Sequence, residues 1–314
     1  MLAAWLAFVI ATPLIAWAGV SRVETDPGGG RPADGSGSTY LLVGSDSREG
    51  LSAEDRARLG TGSSEGRRTD SIILVHVPSG DGLPALISVP RDSYLPIPGV
   101  GRDKVNAAFA VGGPQLLVET LEGATGLRID GYVEIGFGGF ADVVDSLGGV
   151  DICVPRDISD EKAHIELTKG CQTLDGPTAL GYVRARYSDP RGDLGRAERQ
   201  RQFLGAVMKQ AATPSTVLLP HRWWGFNQAA AGSVFVGEDT SALDAARILS
   251  TMRKVSSEQA LSLVVPISST NASTNAGSAV LWDEDRAADL FGALNAGTPL
   301  DAPPPGTDGE PSGR

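Results

Sequence analysis

The chain has 314 residues, of which 41% are hydrophobic and 21% are charged, and its formal net charge is −11 at pH 7. A chain of this length can form one large domain or two small ones, and the composition is typical of a globular protein with a buried core. The acidic balance argues against a sequence-independent nucleic-acid binder, which needs a basic footprint.

The first segment, residues 2–20, contains no charged residue, and Trp5 and Trp17 lie near its two ends. Its length is close to the ~20 apolar residues that cross a bilayer as a helix, and interfacial aromatics are common at such ends. The sequence therefore predicts a transmembrane anchor over residues 1–21. A cleavable signal peptide is the alternative, because residues 16–18 resemble a cleavage site, although the apolar run exceeds the usual ~7–15 residues.

Two segments rich in Gly, Pro and Ser flank the region that shows apolar periodicity. Residues 22–38 are predicted to be a flexible linker, and residues 298–314 are predicted to be a disordered tail. The folded domain is then predicted to cover residues 39–297.

Within this domain, short runs of apolar, β-branched residues alternate with helical patterns. Strands are predicted over residues 40–43, 71–77, 85–89, 133–137, 150–154, 179–187 and 262–265. Helices are predicted over residues 104–111, 114–125, 140–147, 194–210, 243–255 and 284–294. Strands and helices mixed in this way predict a layered α/β domain with helices on both faces of a sheet.

Charged residues stand at the ends of several predicted strands. Asp46 follows the first strand, whereas Arg68 and Asp70 lead into the second. If these two strands pair in antiparallel fashion, Asp46 and Asp70 lie together at one end of the sheet. Two carboxylates there could hold Mg²⁺, which prefers carboxylates together with waters and substrate phosphates.

A further charged pair, Arg91 and Asp92, follows the third predicted strand. Arginines around a bound cation can hold the remaining phosphate oxygens. Each cluster alone is weak evidence, because Asp and Arg often merely terminate strands and pair with each other. Their shared position at strand ends in an acidic protein favours a common anion site.

The chain has two cysteines, Cys153 and Cys171. If the domain lies outside the cytoplasm, they can form a disulfide, which would stabilise the fold by about 3 kcal/mol. Two buried free thiols are the alternative.

The segment from Tyr182 to Leu204 concentrates arginines. Residues 183–187 alternate apolar and basic side chains, which predicts a strand with Arg184 and Arg186 on one face. Arg196, Arg199 and Gln200 have the i, i+3, i+4 spacing of one helix face. The two elements could direct cationic groups at one anion, and a solvated surface with salt bridges is the alternative.

Together these motifs resemble the LytR–CpsA–Psr family of bacterial cell-wall proteins. The matching segments are GSDSR (44–48), RRTDSIILV (67–75), SVPRDSYLPIP (88–98), KVNAAFAVGGP (104–114), GFADVVDSLGGVDICVP (139–155), LDGPTALGYVRAR (174–186) and GDLGRAERQRQFL (192–204). The resemblance is dense from residue 39 to about residue 210.

This resemblance implies an α/β fold, a three-layer α-β-α sandwich around a mixed central sheet, with an N-terminal transmembrane helix. It implies a single-pass protein of the cell membrane whose catalytic domain is extracytoplasmic. The implied reaction is phosphotransfer, in which a glycopolymer moves from a polyprenyl-pyrophosphate carrier to peptidoglycan and forms a phosphodiester link. Which glycopolymer is moved stays open among arabinogalactan, teichoic acid and capsule.

The resemblance also assigns roles by motif. Asp46 and Asp70 are expected to hold Mg²⁺, or Mn²⁺ in its place. The candidate catalytic residues are Arg68, Arg91 and Asp92, the last for proton transfer or orientation. The residues expected to contact the pyrophosphate are Arg68, Arg91, Lys104, Asn106, Arg184, Arg186, Arg196 and Gln200.

Two other functions fit the same residues. One is a pyrophosphatase that releases carrier-bound phosphate, and the other is a non-catalytic protein that binds anionic polyprenyl lipids. The phosphotransferase is the leading hypothesis, because phosphoryl transfer leaves a protein mostly positioning and charge neutralisation to do. Arginines and Mg²⁺ supply both.

Overall fold

The computed structural model describes residues 2–45, 52–59, 69–185, 193–257 and 259–312. At Asp70, Arg196 and Gln200 it describes the backbone and not the side chain. The chain folds as two compact units. Unit 1 comprises Met1–Ser21, Ser47–Glu65 and Ile135–Phe235, and unit 2 comprises Arg22–Asp46, Gly66–Glu134 and Val236–Arg314.

The described residues form helices and strands with the following bounds. The helices are α1 (Leu2–Ala18), α2 (Ala53–Arg58), α3 (Val105–Thr125), α4 (Phe137–Ser146), α5 (Gly176–Arg184), α6 (Asp193–Ala211), α7 (Pro214–Val217), α8 (Pro220–Ser233), α9 (Ala242–Ser256) and α10 (Glu284–Ala296). The strands are β1 (Ser21–Val23), β2 (Ser38–Ser45), β3 (Thr69–Val77), β4 (Ala85–Val89), β5 (Tyr94–Ile97), β6 (Gly101–Lys104), β7 (Gly131–Ile135), β8 (Val150–Val154), β9 (Ile158–Asp160), β10 (Ile165–Leu167), β11 (Gly170–Leu174), β12 (Val234–Gly237), β13 (Leu261–Val264), β14 (Ile267–Thr274) and β15 (Gly277–Trp282).

A seven-stranded sheet with the order β1-β12-β7-β2-β3-β4-β13 is the centre of unit 2. Strand β3 pairs with β2 and β4 in antiparallel fashion, whereas β13 pairs with β4 in parallel. The sheet is therefore mixed, as expected. Among the predicted strands that the described residues test, only the strand over residues 179–187 is wrong.

Helices cover both faces of this sheet. Leu41, Ile72 and Ile87 point to one face, where they share a buried core with side chains of α3 and α10. Tyr40, one residue before Leu41, points to the opposite face and donates a hydrogen bond of 2.9 Å to Asp244 of α9. Because side chains alternate along a strand, this places helices on two sides of the sheet. Unit 2 thus has the layered α/β architecture that the sequence predicts.

Helix α3 is interrupted at two glycines. Gly112 (φ −125°) and Gly113 (φ 63°) depart from helical geometry, and Pro114 starts the second half. A positive φ is accessible to glycine at little steric cost, and proline suits the first turn of a helix. The two helices predicted over residues 104–111 and 114–125 are therefore confirmed as the two halves of α3.

Unit 1 has a core of its own, built by α4, α5, α6 and the strands β8 to β10. Phe140 of α4 and Phe203 of α6 stack with their ring centroids 4.4 Å apart. At Gly176 a Cβ atom would lie 2.5 Å from the carbonyl oxygen of Ala141, so the close approach of α4 and α5 requires glycine there.

Helix α1 packs against α8 in unit 1, and Trp223 donates its indole N–H to the carbonyl oxygen of Val9 at 3.2 Å. None of the helices in the described part of the chain is both long enough and apolar enough to cross a membrane.

The predicted linker and tail both contact unit 2. Arg31 forms a 2.7 Å ion pair with the buried Glu122 and donates a hydrogen bond of 2.6 Å to the carbonyl oxygen of Ile129. In the tail, the carbonyl oxygens of Leu300 and Thr307 accept backbone hydrogen bonds from Leu83 and Val264. The domain boundaries themselves stay predictions.

Cys153 and Cys171 are joined by a disulfide, as one of the two alternatives predicts. They lie directly opposite each other in the antiparallel pair of β8 and β11. The bond closes a loop with a sequence separation of 18. The cross-link ties β8 and β11 together in unit 1.

Replacing Cys153 and Cys171 by alanine should lower the free energy of unfolding by about 3 kcal/mol, because the unfolded chain regains the entropy of the open loop. Each single variant should lose about as much as the double variant, since all three break the same bond. Urea unfolding with and without reductant measures this. Equal stability of wild type and double variant would contradict it, and reductant should leave the double variant unchanged.

His76 should make the stability of the fold depend on pH. Burial in β3 lowers the pKa of its imidazole from 6.5 to about 4. Between pH 4 and pH 6.5 the imidazole binds a proton in the unfolded chain and not in the folded chain. The contribution of neutral His76 to the free energy of unfolding is therefore complete above pH 6.5 and is lost as the pH falls toward 4. At pH 5 the loss should be about 2 kcal/mol.

Urea unfolding of wild type and His76→Gln at pH 7.5 and 5 checks this effect. The variant should lose less stability between the two pH values than the wild type does. If the two proteins lose equal free energy of unfolding between pH 7.5 and pH 5, other titratable groups cause the pH dependence.

Candidate functional site

The register of the central sheet places two of the predicted charged positions, Asp70 and Arg91, at one edge. Val43 of β2 lies opposite Ile72 of β3, and Ile72 lies opposite Val89 of β4. The carboxyl ends of β2 and β4 and the amino end of β3 therefore share this edge. The antiparallel pairing that the sequence analysis took as a condition is observed. Ser45 ends β2, Asp70 is the second residue of β3, and Arg91 follows β4.

The pairing of β2 and β3 is irregular at this edge. Gly44 lies opposite Ser71 and Ser45 lies opposite Thr69, so the register skips Asp70. The hydroxyl of the buried Thr69 donates to the carbonyl oxygen of Gly44 at 3.3 Å. Such bulges bend a strand and re-aim its side chains, and they are common beside active sites.

The two predicted metal ligands stay predictions. Asp46 lies outside the described residues, and only the backbone of Asp70 is described. Among the residues whose side chains are described, no group of three or more His, Cys, Asp or Glu is placed to hold a metal ion. A pair of carboxylates completed by waters and phosphate oxygens still fits Mg²⁺, which rarely uses an all-protein cage.

The hairpin of β5 and β6 brings Lys104 back to the loop that follows β4. Tyr94 pairs with Lys104 in this hairpin, and the backbone N–H of Asn106 donates to the carbonyl oxygen of Arg91 at 3.1 Å. Residues that are more than ten positions apart in the chain therefore meet where α3 begins. The structure thus brings together Arg91, Asp92, Lys104 and Asn106.

Asp92 stands between two cations in this group. Its carboxylate lies 3.3 Å from Nζ of Lys104 and 3.6 Å from Nε of Arg91. Each of the three side chains is about a quarter exposed. Two cations and one anion leave the cluster with a net positive charge, which attracts an anionic ligand.

Arg184 lies in the last turn of helix α5 and not in a strand, so the strand predicted over residues 179–187 is wrong. The side chain of Asp175 accepts the backbone N–H of Thr178 at 3.0 Å, and Pro177 stands in the first turn of the helix. Both are strong signals of a helix start. Buried residues of α5 also follow a helical spacing, and they are Ala179, Leu180, Tyr182 and Val183.

The guanidinium of Arg184 lies 4.7 Å from the centroid of the Phe137 ring. An aromatic face attracts a cation and holds its plane in a defined orientation. This contact presents Arg184 at the carboxyl end of α5. Arg186, like Arg68, lies outside the described residues.

Helix α6 confirms the helical spacing predicted for Arg196, Arg199 and Gln200. The side chains of Arg196 and Gln200 lie outside the description, so their contacts stay predictions. Arg199 is buried and donates a hydrogen bond from Nη2 to the carbonyl oxygen of Ala185. It therefore ties the end of α5 to α6 and has a structural role.

Two further residues of unit 1 connect α5 and α6. Both are uncharged, so the search for charged clusters in the sequence did not find them. The hydroxyl of the buried Tyr182 donates to Oε1 of Gln202 at 2.5 Å. Gln202 in turn donates from Nε2 to the carbonyl oxygen of Cys153 at 3.0 Å. The network connects α5 and α6 to the disulfide-linked strand β8.

The chain is similar to known proteins over nearly its whole length. The model of the LytR–CpsA–Psr family matches residues 22–293. A probable cell wall biosynthesis protein, LcpB of Corynebacterium glutamicum, is 45% identical over 94% of this chain and 69% of its own length. TagU of Bacillus cereus, a polyisoprenyl-teichoic acid–peptidoglycan teichoic acid transferase, is 42% identical over 48% of this chain and 49% of its own length.

The fold agrees with a solved structure of TagT bound to LI-WTA. The TM-score is 0.60 at 25% identity, and the match covers 88% of this chain and 93% of that one. The family model matches far more than half of the chain, and the sequence motifs and the mixed sheet agree with that match. The chain belongs to the LytR–CpsA–Psr family.

Proposed function

We propose that the protein is a phosphotransferase that moves a glycopolymer from a polyprenyl-pyrophosphate carrier to peptidoglycan. The observation that carries the proposal is the cluster of Arg91, Asp92 and Lys104 at the sheet edge that Asp70 also borders. Relatives of this chain have names that specify cell-wall biosynthesis and transfer to peptidoglycan, which supports the same reaction class.

The proposed reaction exchanges one phosphoester bond for another. A sugar hydroxyl of peptidoglycan attacks the phosphorus that bears the glycopolymer, and a new phosphodiester bond forms. The bond from this phosphorus to the bridging oxygen of the pyrophosphate breaks, and polyprenyl phosphate leaves with that oxygen. The proton of the hydroxyl passes to a base or to water. Neutralising the charge that spreads over the phosphate oxygens is then the main task of the protein.

Arg91 and Lys104 are suited to that task. A guanidinium contacts two phosphate oxygens at once, whereas an ammonium acts as a point charge. Asp92 acts as a positioning residue for both cations in this proposal, and it lies close enough to them to orient an approaching hydroxyl. Arg184, which the Phe137 ring orients, is proposed as a further phosphate ligand, together with Arg68, Arg186, Arg196 and Gln200.

A divalent cation completes the proposed chemistry. When bound, Mg²⁺ would polarise phosphate oxygens and neutralise part of the pyrophosphate charge. Asp46 and Asp70 are the residues proposed to hold it, and the pairing of Ser45, the last residue of β2, with Thr69 of β3 supports this proposal.

We also propose that the protein works at the outer face of the cell membrane, where the exposed apolar side chains of α1 hold it at the bilayer. Helix α1 carries no charged residue, and Leu6, Ile10, Leu14 and Ile15 expose about half or more of their surface. A polyprenyl carrier is confined to the bilayer, so an enzyme that uses it gains from staying at the membrane. A disulfide in the domain is also typical of an oxidising compartment.

Arg91→Ala and Arg184→Ala should each reduce transfer at least about 100-fold, because each removes a cation that stabilises charge in the transition state. The assay measures labelled glycan that passes from a purified lipid-linked donor to peptidoglycan. Arg253→Ala is the matched control, since Arg253 is an exposed residue in the last turn of α9. Circular dichroism should show an unchanged fold.

Wild-type turnover in both variants would refute these site residues. Release of inorganic phosphate by the wild type without glycan transfer would instead identify a pyrophosphatase. Copurifying polyprenyl lipid with no turnover under any condition would identify a non-catalytic lipid-binding protein.

Removing divalent cations should abolish transfer, and Mg²⁺ or Mn²⁺ should restore it. Asp46→Asn and Asp70→Asn should each raise the Mg²⁺ concentration that gives half-maximal transfer by about tenfold or more, because each replaces a charged oxygen ligand with a neutral one. Titration of a chelated enzyme with MgCl₂ measures both effects. Full turnover in the presence of EDTA would contradict the proposed cation.

A further inference from the structure

The hairpin of β14 and β15 has a composition unlike the rest of the chain. Residues 267–282 contain no charged side chain, although 21% of the whole chain is charged. Its exposed positions are instead hydroxyl and amide residues, and they are Ser268, Thr270, Asn271, Ser273, Asn275 and Ser278. These side chains both donate and accept hydrogen bonds. The hairpin therefore presents a neutral polar surface to solvent.

This hairpin is bonded directly to the loop of Arg91 and Asp92. The register of β14 and β15 shifts between Ser269 and Ala272. Val280, which stands opposite that irregularity, donates its backbone N–H to the carbonyl oxygen of Asp92 at 2.9 Å. It also forms an isolated bridge with Ser93. The irregular register thus turns one strand of the hairpin toward the cationic cluster.

Two side-chain contacts strengthen this connection. Trp282 donates its indole N–H to the hydroxyl of the fully buried Ser93 at 2.9 Å. The hydroxyl of Tyr94 donates a hydrogen bond to Oδ1 of Asn275 at the hairpin turn. Because Tyr94 pairs with Lys104 in the β5–β6 hairpin, one surface runs from Lys104 across Tyr94 to Asn275.

Tyr94 adds an aromatic face to this surface. Its ring is partly exposed, and the guanidinium of Arg102 lies 5.3 Å from the ring centroid. An aromatic ring offers a flat apolar face, and a tyrosine hydroxyl offers a polar end. Sugars have the matching chemistry, with apolar C–H faces and a rim of hydroxyl and amide groups.

We propose that the β14–β15 hairpin and Tyr94 bind the acceptor glycan strand of peptidoglycan and present its hydroxyl to the cationic cluster. This inference rests on the proposed function. The hairpin part of this surface is neutral and carries hydroxyl and amide groups, which suits an uncharged sugar backbone and not a phosphate. The surface is open and borders Asp92, the residue placed to orient the attacking hydroxyl. It therefore suits the polymeric acceptor and not the carrier lipid.

The test compares binding of the full chain to purified peptidoglycan sacculi by cosedimentation. Asn271→Ala/Asn275→Ala removes two exposed amides, and it should raise the apparent Kd about tenfold. Ser273→Glu places a bulky anion on the same face and should weaken binding by a similar factor. Thr168→Glu is the control with matched net charge, because Thr168 is exposed in unit 1. Thermal melting monitors the fold of each variant.

Transfer kinetics provide the second measurement. The two hairpin variants should raise the KM for peptidoglycan and leave the KM for the lipid-linked donor unchanged. A raised donor KM with an unchanged acceptor KM would assign the surface to the donor glycan and overturn the inference. Binding of both variants with the affinity of Thr168→Glu would overturn it as well, and so would a wild type that does not bind sacculi.

The two proposals fail in different ways. Wild-type protein that binds sacculi through the hairpin and yet transfers no glycan would overturn the phosphotransferase and leave the acceptor surface standing. If the wild type transfers glycan and the hairpin variants have a normal KM for peptidoglycan, the acceptor surface alone is overturned.

Discussion

The antiparallel register of β2, β3 and β4 is the constraint on which the candidate site depends. Leu41, Ile72 and Ile87 face the core that α3 and α10 complete. A slip of one residue would turn these side chains to the opposite face, so burial of the core specifies the register strongly. The same register sets which residues follow each strand at the sheet edge. Stability and site geometry therefore have one physical origin in unit 2.

Local pairing explains how an acidic protein can hold a cationic site. Asp92 contacts both Arg91 and Lys104, which limits the repulsion between the two cations and leaves a net positive charge. Arg184 is held by an aromatic ring, whereas Arg199 is buried against a backbone carbonyl. Two arginines of one segment thus have different surroundings, an aromatic face for Arg184 and a backbone carbonyl for Arg199.

The loop after β4 is a junction of three structural elements. It is hydrogen-bonded to the first residues of α3, Val105 and Asn106, and to the β14–β15 hairpin through Val280. Both contacts use backbone hydrogen bonds, so they restrain the loop whatever ligand is bound.

The sequence by itself determined most strands of the sheet and the helical register of Arg196, Arg199 and Gln200, whereas the pairing of β2 with β3 was only a condition of the sequence argument. Runs of buried β-branched residues and i, i+3, i+4 spacing are local signals. Tertiary structure decided the rest. At Arg184 both levels contribute, because the Asp175 cap is a local signal that the sequence already carries and the packing of Tyr182 in the core is a tertiary one, and together they outweigh a short alternation of apolar and basic residues. Only the hairpins could bring Lys104 to Asp92 and Val280 to the same loop, since contacts between distant residues depend on packing and not on spacing.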